Sequence, residues 1–104
     1  MSEDAEEIAL RVEVEEGARP RGRLVLIDDA DRELGEMRYR REGKDLVVIE
    51  HTEVDRSLRG KHGGRRFFEG MVAWARETGI KIRSECPFIT RMFEREPSSR
   101  DVLA

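Results

Sequence analysis

One cysteine, one tryptophan, one tyrosine and three prolines are spread over 104 residues. The lone cysteine, Cys86, excludes an internal disulfide framework and a zinc site built from several thiolates. With His51 and His62 it makes no familiar ligand spacing, so no metal is expected. No apolar run approaches the ~18 residues that a membrane span needs. The stretch from Met1 to Glu7 is acidic and lacks the basic head and apolar middle of a secretory signal. A reducing, cytoplasmic setting is the expectation. Positive charge is not in excess: 20 Lys and Arg against 23 Asp and Glu leave a net charge of -3. General nucleic-acid binders are usually basic, which sets that class behind. No internal repeat or linker-like stretch interrupts the chain. A single domain over 1–104 is expected, with 1–7 a frayed leader and 97–104 a tail.

What is present is patterned. Apolar residues make up 38% and charged residues 41%, with a mean hydropathy of -0.68, yet Leu, Val, Ile and Phe recur at regular spacings. Ile8, Leu10, Val12 and Val14 alternate with Ala9, Arg11, Glu13 and Glu15, the period-2 signature of a half-buried strand. Glu16 to Gly22 reads as a turn, because Gly17, Pro20 and Gly22 break regular structure. Leu24–Ile27, Glu33–Arg40 and Leu46–Ile49 read as three further strands, the last being the most apolar and so the central one. From Phe67 the period changes. Phe67, Phe68, Met71, Val72, Trp74, Ala75 and Thr78 share one helical face, an arc of about 160° at 100° per residue. Gly79 is the expected stop. Ile80–Arg83 is a short strand, and Cys86-Pro87 opens a second helix with Phe88, Ile89, Met92 and Phe93 on one face. Four strands, helix, strand, helix make an α+β domain with a mostly antiparallel sheet. So few elements cannot cover both sheet faces, which predicts either a homodimer or an exposed apolar face.

The most informative stretch joins the central strand to the long helix: Leu58-Arg59-Gly60-Lys61-His62-Gly63-Gly64-Arg65-Arg66. Between Asp55 and Arg66 five positive residues face one negative, whereas Met1 to Glu16 holds seven acids and only Arg11. Free N–H groups and the macrodipole make a helix start a ready anion site, and glycines let a phosphate approach the backbone. Neither G-x-x-x-x-G-K-[ST] nor G-x-G-x-x-G occurs here. A solvated, glycine-containing connection is the competing reading of the same residues.

Three motifs in order carry a resemblance: Glu50-His51-Thr52-Glu53-Val54, then Leu58-Arg59-Gly60-Lys61 with Gly64, then Cys86-Pro87-Phe88. On these the chain resembles the GNAT acetyltransferase superfamily, and within it the minimal bacterial-type N-acetyltransferase-like proteins. The resemblance implies a GNAT-like fold with a splayed strand pair and two main helices. It also implies acetyl-CoA as co-substrate and an amine as acetyl acceptor. In that superfamily an R-x-x-G-x-G/A loop binds the pyrophosphate through backbone amides. Carried over, Arg59 opens the motif and Gly64 closes it, with Gly60, Lys61, His62 and Gly63 between and Arg65 beside them. His62 stands where the motif has glycine. The backbone of Thr52, Glu53 and Val54 is implied to line the pantetheine arm.

Acetyl transfer needs a deprotonated amine and a proton for the leaving thiolate. Glu50, His51 and Glu53 are the candidate bases at the end of the central strand. Strict alternation places His51 and Glu53 on one face, with Glu50 and Thr52 on the other. A structural histidine is the competing reading of His51. Cys86, at a helix start, is implied by the resemblance to lie near the acetyl group as acyl acceptor or proton donor; small buried packing residue is its other reading. No tyrosine follows Tyr39, so the tyrosine acid used by larger acetyltransferases is missing. Phe67, Phe68 and Trp74 have core spacing, which weakens a nucleic-acid stacking surface, and Arg91 and Arg95 read as solvated. Two functions stand: an acetyl-CoA-dependent N-acetyltransferase, or a non-catalytic CoA-binding or protein-interaction module on the same fold. A small anion or nucleic-acid binding domain comes third.

Overall fold

Alternating strands and one apolar helical stripe assemble as their periods require. The computed structural model describes residues 8–104; the acidic leader 1–7 lies outside the described residues. Strands β1 (Leu10–Glu16), β2 (Arg21–Asp28), β3 (Glu33–Arg41), β4 (Leu46–Val54) and β5 (Lys81–Ser84) form one sheet in the order β1-β2-β3-β4-β5. The first three neighbouring pairs are antiparallel, and β4 and β5 are parallel, joined through helix α1 (Gly63–Thr78). Helix α2 (Pro87–Arg95) follows β5. This is the expected α+β architecture, a mostly antiparallel sheet with two main helices.

Both helices pack on one sheet face. Leu24 and Leu26 of β2, Met37 and Tyr39 of β3, and Val47 and Ile49 of β4 meet Phe67, Phe68, Met71 and Ala75 of α1 and Ile89 and Phe93 of α2. Phe68 and Phe93 stack edge to face with centroids 5.0 Å apart. The apolar stripe read on α1 is the buried one, except that Trp74 is half-buried and Thr78 exposed. Gly79 ends α1 in the left-handed region at φ 75°, where glycine is unstrained.

Two boundaries differ from the sequence expectation. Gly22, read as part of a turn, lies inside β2, because a Cβ there would sit 2.6 Å from the Tyr39 ring carbon that bears the hydroxyl. It is a strand residue that makes room for the buried tyrosine. Strand β4 continues past the apolar Leu46–Ile49 through Glu50–Val54, in keeping with the candidate bases read at its end. The segment read as a tail is packed: Pro97–Val102 forms a 3-10 turn with Val102 buried, and Leu103 bridges to Ile82 in parallel. Arg76 of α1 holds this turn through Asp101 at 2.7 Å.

The other sheet face carries no helix, and it is not the exposed apolar face expected. Arg23 binds Glu15, Glu33 and Glu36, while Arg40 binds Glu42, Glu50 and Glu85. Val25 and Val48 lie beneath this lattice with no more than 1% of their surface exposed. Long arginine and glutamate stems cover apolar surface while their charged ends stay wet, so the face needs no second layer. Among the described residues, no helix is long and apolar enough to cross a membrane.

Candidate active site

Strand β4 has two partners only over its first half. Its register with β5 runs from Leu46↔Lys81 to Ile49↔Ser84, and the Glu85 N–H donates to the Ile49 carbonyl at 2.8 Å. Beyond that point β5 ends and the chain turns into α2, while β4 continues along β3 to Val54. The Asp55 N–H donates to the Leu34 carbonyl at 2.8 Å, so by alternation the Val54 and Thr52 peptide groups face the side that β5 has left. The strand pair is therefore splayed, with peptide donors and acceptors lining the gap.

A β-bulge sits at the same place. Arg38 pairs with His51 but Tyr39 pairs with Ile49, leaving Glu50 as the extra residue on β4. The bulge corrects the facing read from strict alternation. Glu50 turns to the uncovered face, where its carboxylate accepts from Arg21 at 2.6 Å and Arg40 at 2.8 Å. His51 and Glu53 share that face, their Nε2 and Oε2 being 3.0 Å apart. Thr52 returns to the helix side with its register partner Met37. Glu50 and Thr52 thus lie on opposite faces, not the same one.

The ionisation of Glu50 follows from this position. The Arg40 guanidinium holds its carboxyl below the usual range; partial burial opposes this, and Arg21 adds to the depression. A carboxylate this well paired is a poor proton acceptor. His51 and Glu53 form no ion pair with an arginine among the described residues.

Cys86 occupies the N-cap of α2, as its place before Pro87 predicts. It is buried, with 4% of its surface exposed, and its thiol lies 3.5 Å from the Thr52 hydroxyl across the gap. The Ser84 hydroxyl accepts from the Cys86 N–H at 3.2 Å and donates to the Cys86 carbonyl at 2.9 Å. Thr90 donates to Ser84 at 2.8 Å, tying the turn to α2. Cys86 and Thr52 therefore flank the gap from the helix side, and His51 and Glu53 from the uncovered side. Sequence reasoning grouped Cys86, His51 and Glu50 as catalytic; the fold divides them between two faces.

Past Val54 the chain enters the glycine-rich connection. Asp55 caps a 3-10 turn, Arg56–Leu58, by accepting from the Ser57 N–H at 2.9 Å. Gly60 has φ 79° and His62 has φ 62°, both left-handed. The position the family motif gives to glycine is therefore one that glycine favours, here held by an exposed histidine. The Arg66 N–H makes the first intrahelical bond, to the His62 carbonyl at 2.9 Å. The N–H groups of Gly63, Gly64 and Arg65 precede it and have no acceptor within the helix. Gly63 is glycine for packing, since a Cβ there would come within 2.6 Å of the Leu58 Cβ. At Gly64 a Cβ would meet the Phe88 ring at 2.8 Å.

These elements enclose a groove of about 570 Å³. Val54, the connection from Asp55 to Arg65 except Ser57 and Lys61, and Phe88, Met92, Arg95 and Glu96 of the α2 region line it, so the predicted Lys61 is not among the lining residues. Arg56, Arg59 and Arg95 make it cationic. Arg65 turns part of its charge to Glu69 at 3.3 Å and Glu96 at 3.5 Å. Sequence reasoning missed Arg56, Phe88, Met92, Arg95 and Glu96 as groove residues. Phe88 and Met92 share their helical face with core residues, and nothing local sets Arg95 apart from a solvated arginine.

The family model described as GCN5-related N-acetyl-transferase matches residues 23–102. Similarity also extends to the NMR solution structure of a GCN5-like candidate N-acetyltransferase from Staphylococcus aureus. That match has 32% sequence identity and a TM-score of 0.64, covering 88% of this chain and 87% of that one. A comparison with curated proteins finds no match. The chain belongs to the GCN5-related N-acetyltransferase family.

Proposed function

We propose that this protein binds acetyl-CoA and transfers its acetyl group to an amine. The observation that carries the reading is the continuity of the splayed gap with the α1 N-terminus: Thr52 and Val54 peptide groups lead directly into the free N–H groups of Gly63, Gly64 and Arg65. An extended pantetheine arm fits the former and a pyrophosphate the latter. Arg56, Arg59 and Arg95 supply counter-charge, and His62 stands at the rim as a further donor. The groove's volume, cationic lining and unsatisfied N–H groups fit the ligand.

Acetyl-CoA supplies the thioester acyl group; the chain supplies placement and proton handling. An amine arriving on the uncovered face meets His51. With the Nε2 proton directed to Glu53, Nδ1 is left to take the proton that the attacking amine loses. The new C–N bond forms as the C–S bond breaks, and the departing thiolate takes a proton on the side where Cys86 and Thr52 lie. Cys86 is the proton donor in this scheme. Cys86→Ala is expected to lower turnover strongly while leaving acetyl-CoA affinity intact; unchanged turnover removes that role. An acetylated Cys86 detected by mass spectrometry would assign it as acyl acceptor instead.

The alternative, a non-catalytic CoA-binding or interaction module, is favoured by one observation: Glu50 is locked between two arginines. Calorimetric titration with acetyl-CoA, CoA and ATP, followed by thiol release with an amine panel, separates the readings. Saturable binding that prefers acetyl-CoA or CoA over ATP, with amine-dependent thiol release, supports the enzyme. Binding without release supports the module. No binding at millimolar ligand removes the enzyme and the CoA-binding module and leaves the protein-interaction module.

A further inference from the structure

The uncovered sheet face is a lattice of neutralised charge with one exception. Arg23 and Arg38 are direct cross-strand partners, as are Arg21 and Arg40. Like charges facing each other on a sheet are destabilising unless something lies between them. Glu50 bridges Arg21 and Arg40, and Arg23 is held by three carboxylates. Among the described residues Arg38 forms no ion pair or side-chain hydrogen bond, although it is exposed beside another arginine. Folding alone gives no reason to keep an unneutralised guanidinium there.

Its location supplies one. Arg38 is the register partner of His51 at the bulge. Together with Arg21, Glu50 and His51 it lines a depression of about 330 Å³ on the uncovered face. That volume suits a small molecule rather than a folded partner. Glu50 is held by its two arginines, so the unspent charge of the depression is positive.

We propose that the acceptor is a small amine carrying an anionic group, a carboxylate or phosphate, that pairs with Arg38 while the amine reaches His51. The inference rests on the acetyl-transfer reading for its chemistry, though not for its binding step. A planar guanidinium forms two parallel hydrogen bonds with either anion, which positions the substrate as well as attracting it. Arg38 is a specificity-determining residue in this scheme.

The test uses matched acceptors: L-glutamate against its fully amidated form, and phosphoethanolamine against ethanolamine. The anionic member of at least one pair is expected to show the higher kcat/KM, and which pair responds tells carboxylate from phosphate. Arg38→Ala is expected to cut that preference about 10- to 100-fold through KM, with kcat little changed, the usual loss for a charge-assisted pair. Arg38→Lys is expected to restore part of it. A merely structural arginine would lower both members of a pair together. Equal rates within both pairs, or a preference unmoved by Arg38→Ala, overturn the proposal. Should no amine be acetylated, the transfer reading fails separately, and NMR titration with the same four compounds still decides this one. Shifts at the Arg38 side chain with an anionic member alone support it, and their absence at millimolar concentration overturns it.

Discussion

The two halves of strand β4 are built differently. Leu46–Ile49 has a strand on each side, and Val47, Val48 and Ile49 are fully buried, covering both sheet faces. Glu50–Val54 has β3 alone, carries polar side chains and exposes peptide groups to the gap. The change falls at one residue step, where the β5 register ends and the bulge begins. A paired, buried half anchors the strand, so its other half can keep unsatisfied peptide groups in fixed positions. Stability and binding are thereby separated along one strand, and each claim can be tested by treating its halves unequally.

The largest effect should come from the closed half. Ile49→Ala is expected to destabilise by about 2–5 kcal/mol, read as a lowered denaturant midpoint with unchanged slope. Thr52→Ala, three residues on, should cost well under about 1 kcal/mol but reduce acetyl-CoA turnover. Equal stability losses at both positions would break the comparison. Next comes the connection that the open half enters. Gly63→Ala forces a Cβ against Leu58, and overpacking of this kind costs about 1–3 kcal/mol; calorimetry should also show weaker acetyl-CoA binding, because the first free N–H moves. His62→Gly is expected to act the other way. Relief of the left-handed backbone, less the added entropy of glycine, should stabilise by about 0.5–1 kcal/mol. Tighter CoA binding with it means the side chain obstructs; weaker binding means the histidine is itself a ligand.

The smallest effect concerns the boundary between the halves. Arg40, and then Arg21, lower the pKa of Glu50 on folding, so its folded value lies below its unfolded one. Such a group stabilises the fold above the ordinary carboxylate pKa, and the contribution disappears as pH falls through the folded value. Glu50→Gln should therefore be less stable than the parent at neutral pH, with the two melting curves converging below about pH 4. A constant difference across that range would mean packing, not charge, holds Glu50 in place.

Much of this was legible beforehand where one period ran long enough. The stripe Phe67, Phe68, Met71, Val72 and Ala75 named the buried face of α1, and Gly79 its end. The burial of Val47, Val48 and Ile49 followed from their unbroken apolar character, which only a strand covered on both faces requires, but the expected central position did not hold: β4 is fourth of five strands and β3 is the middle one. The Pro87 signal placed Cys86 at a helix N-cap. Illegible was the packed C-terminal turn. Pro97 and two serines read as chain-end residues, yet Val102 found an apolar partner surface far away in sequence.

The site divides in the same manner. Composition alone concentrated positive charge and glycine between Asp55 and Arg66, and local chemistry made that stretch the anion-binding candidate. The left-handed backbone of His62 gives a physical meaning to the glycine that the family motif has there. Strand alternation, in contrast, misassigned Glu50, because a bulge is a property of two paired strands and not of either one. The same pairing brings Arg38 to His51, and the end of β5 brings Cys86 to Thr52. Elements, faces and the charged connection are set by short-range periodicity and conformational preference, which the sequence carries by itself. Which carboxylate is locked, which arginine is left over and which side of the gap each group occupies depend on contacts between distant segments, and these exist only once the sheet has closed.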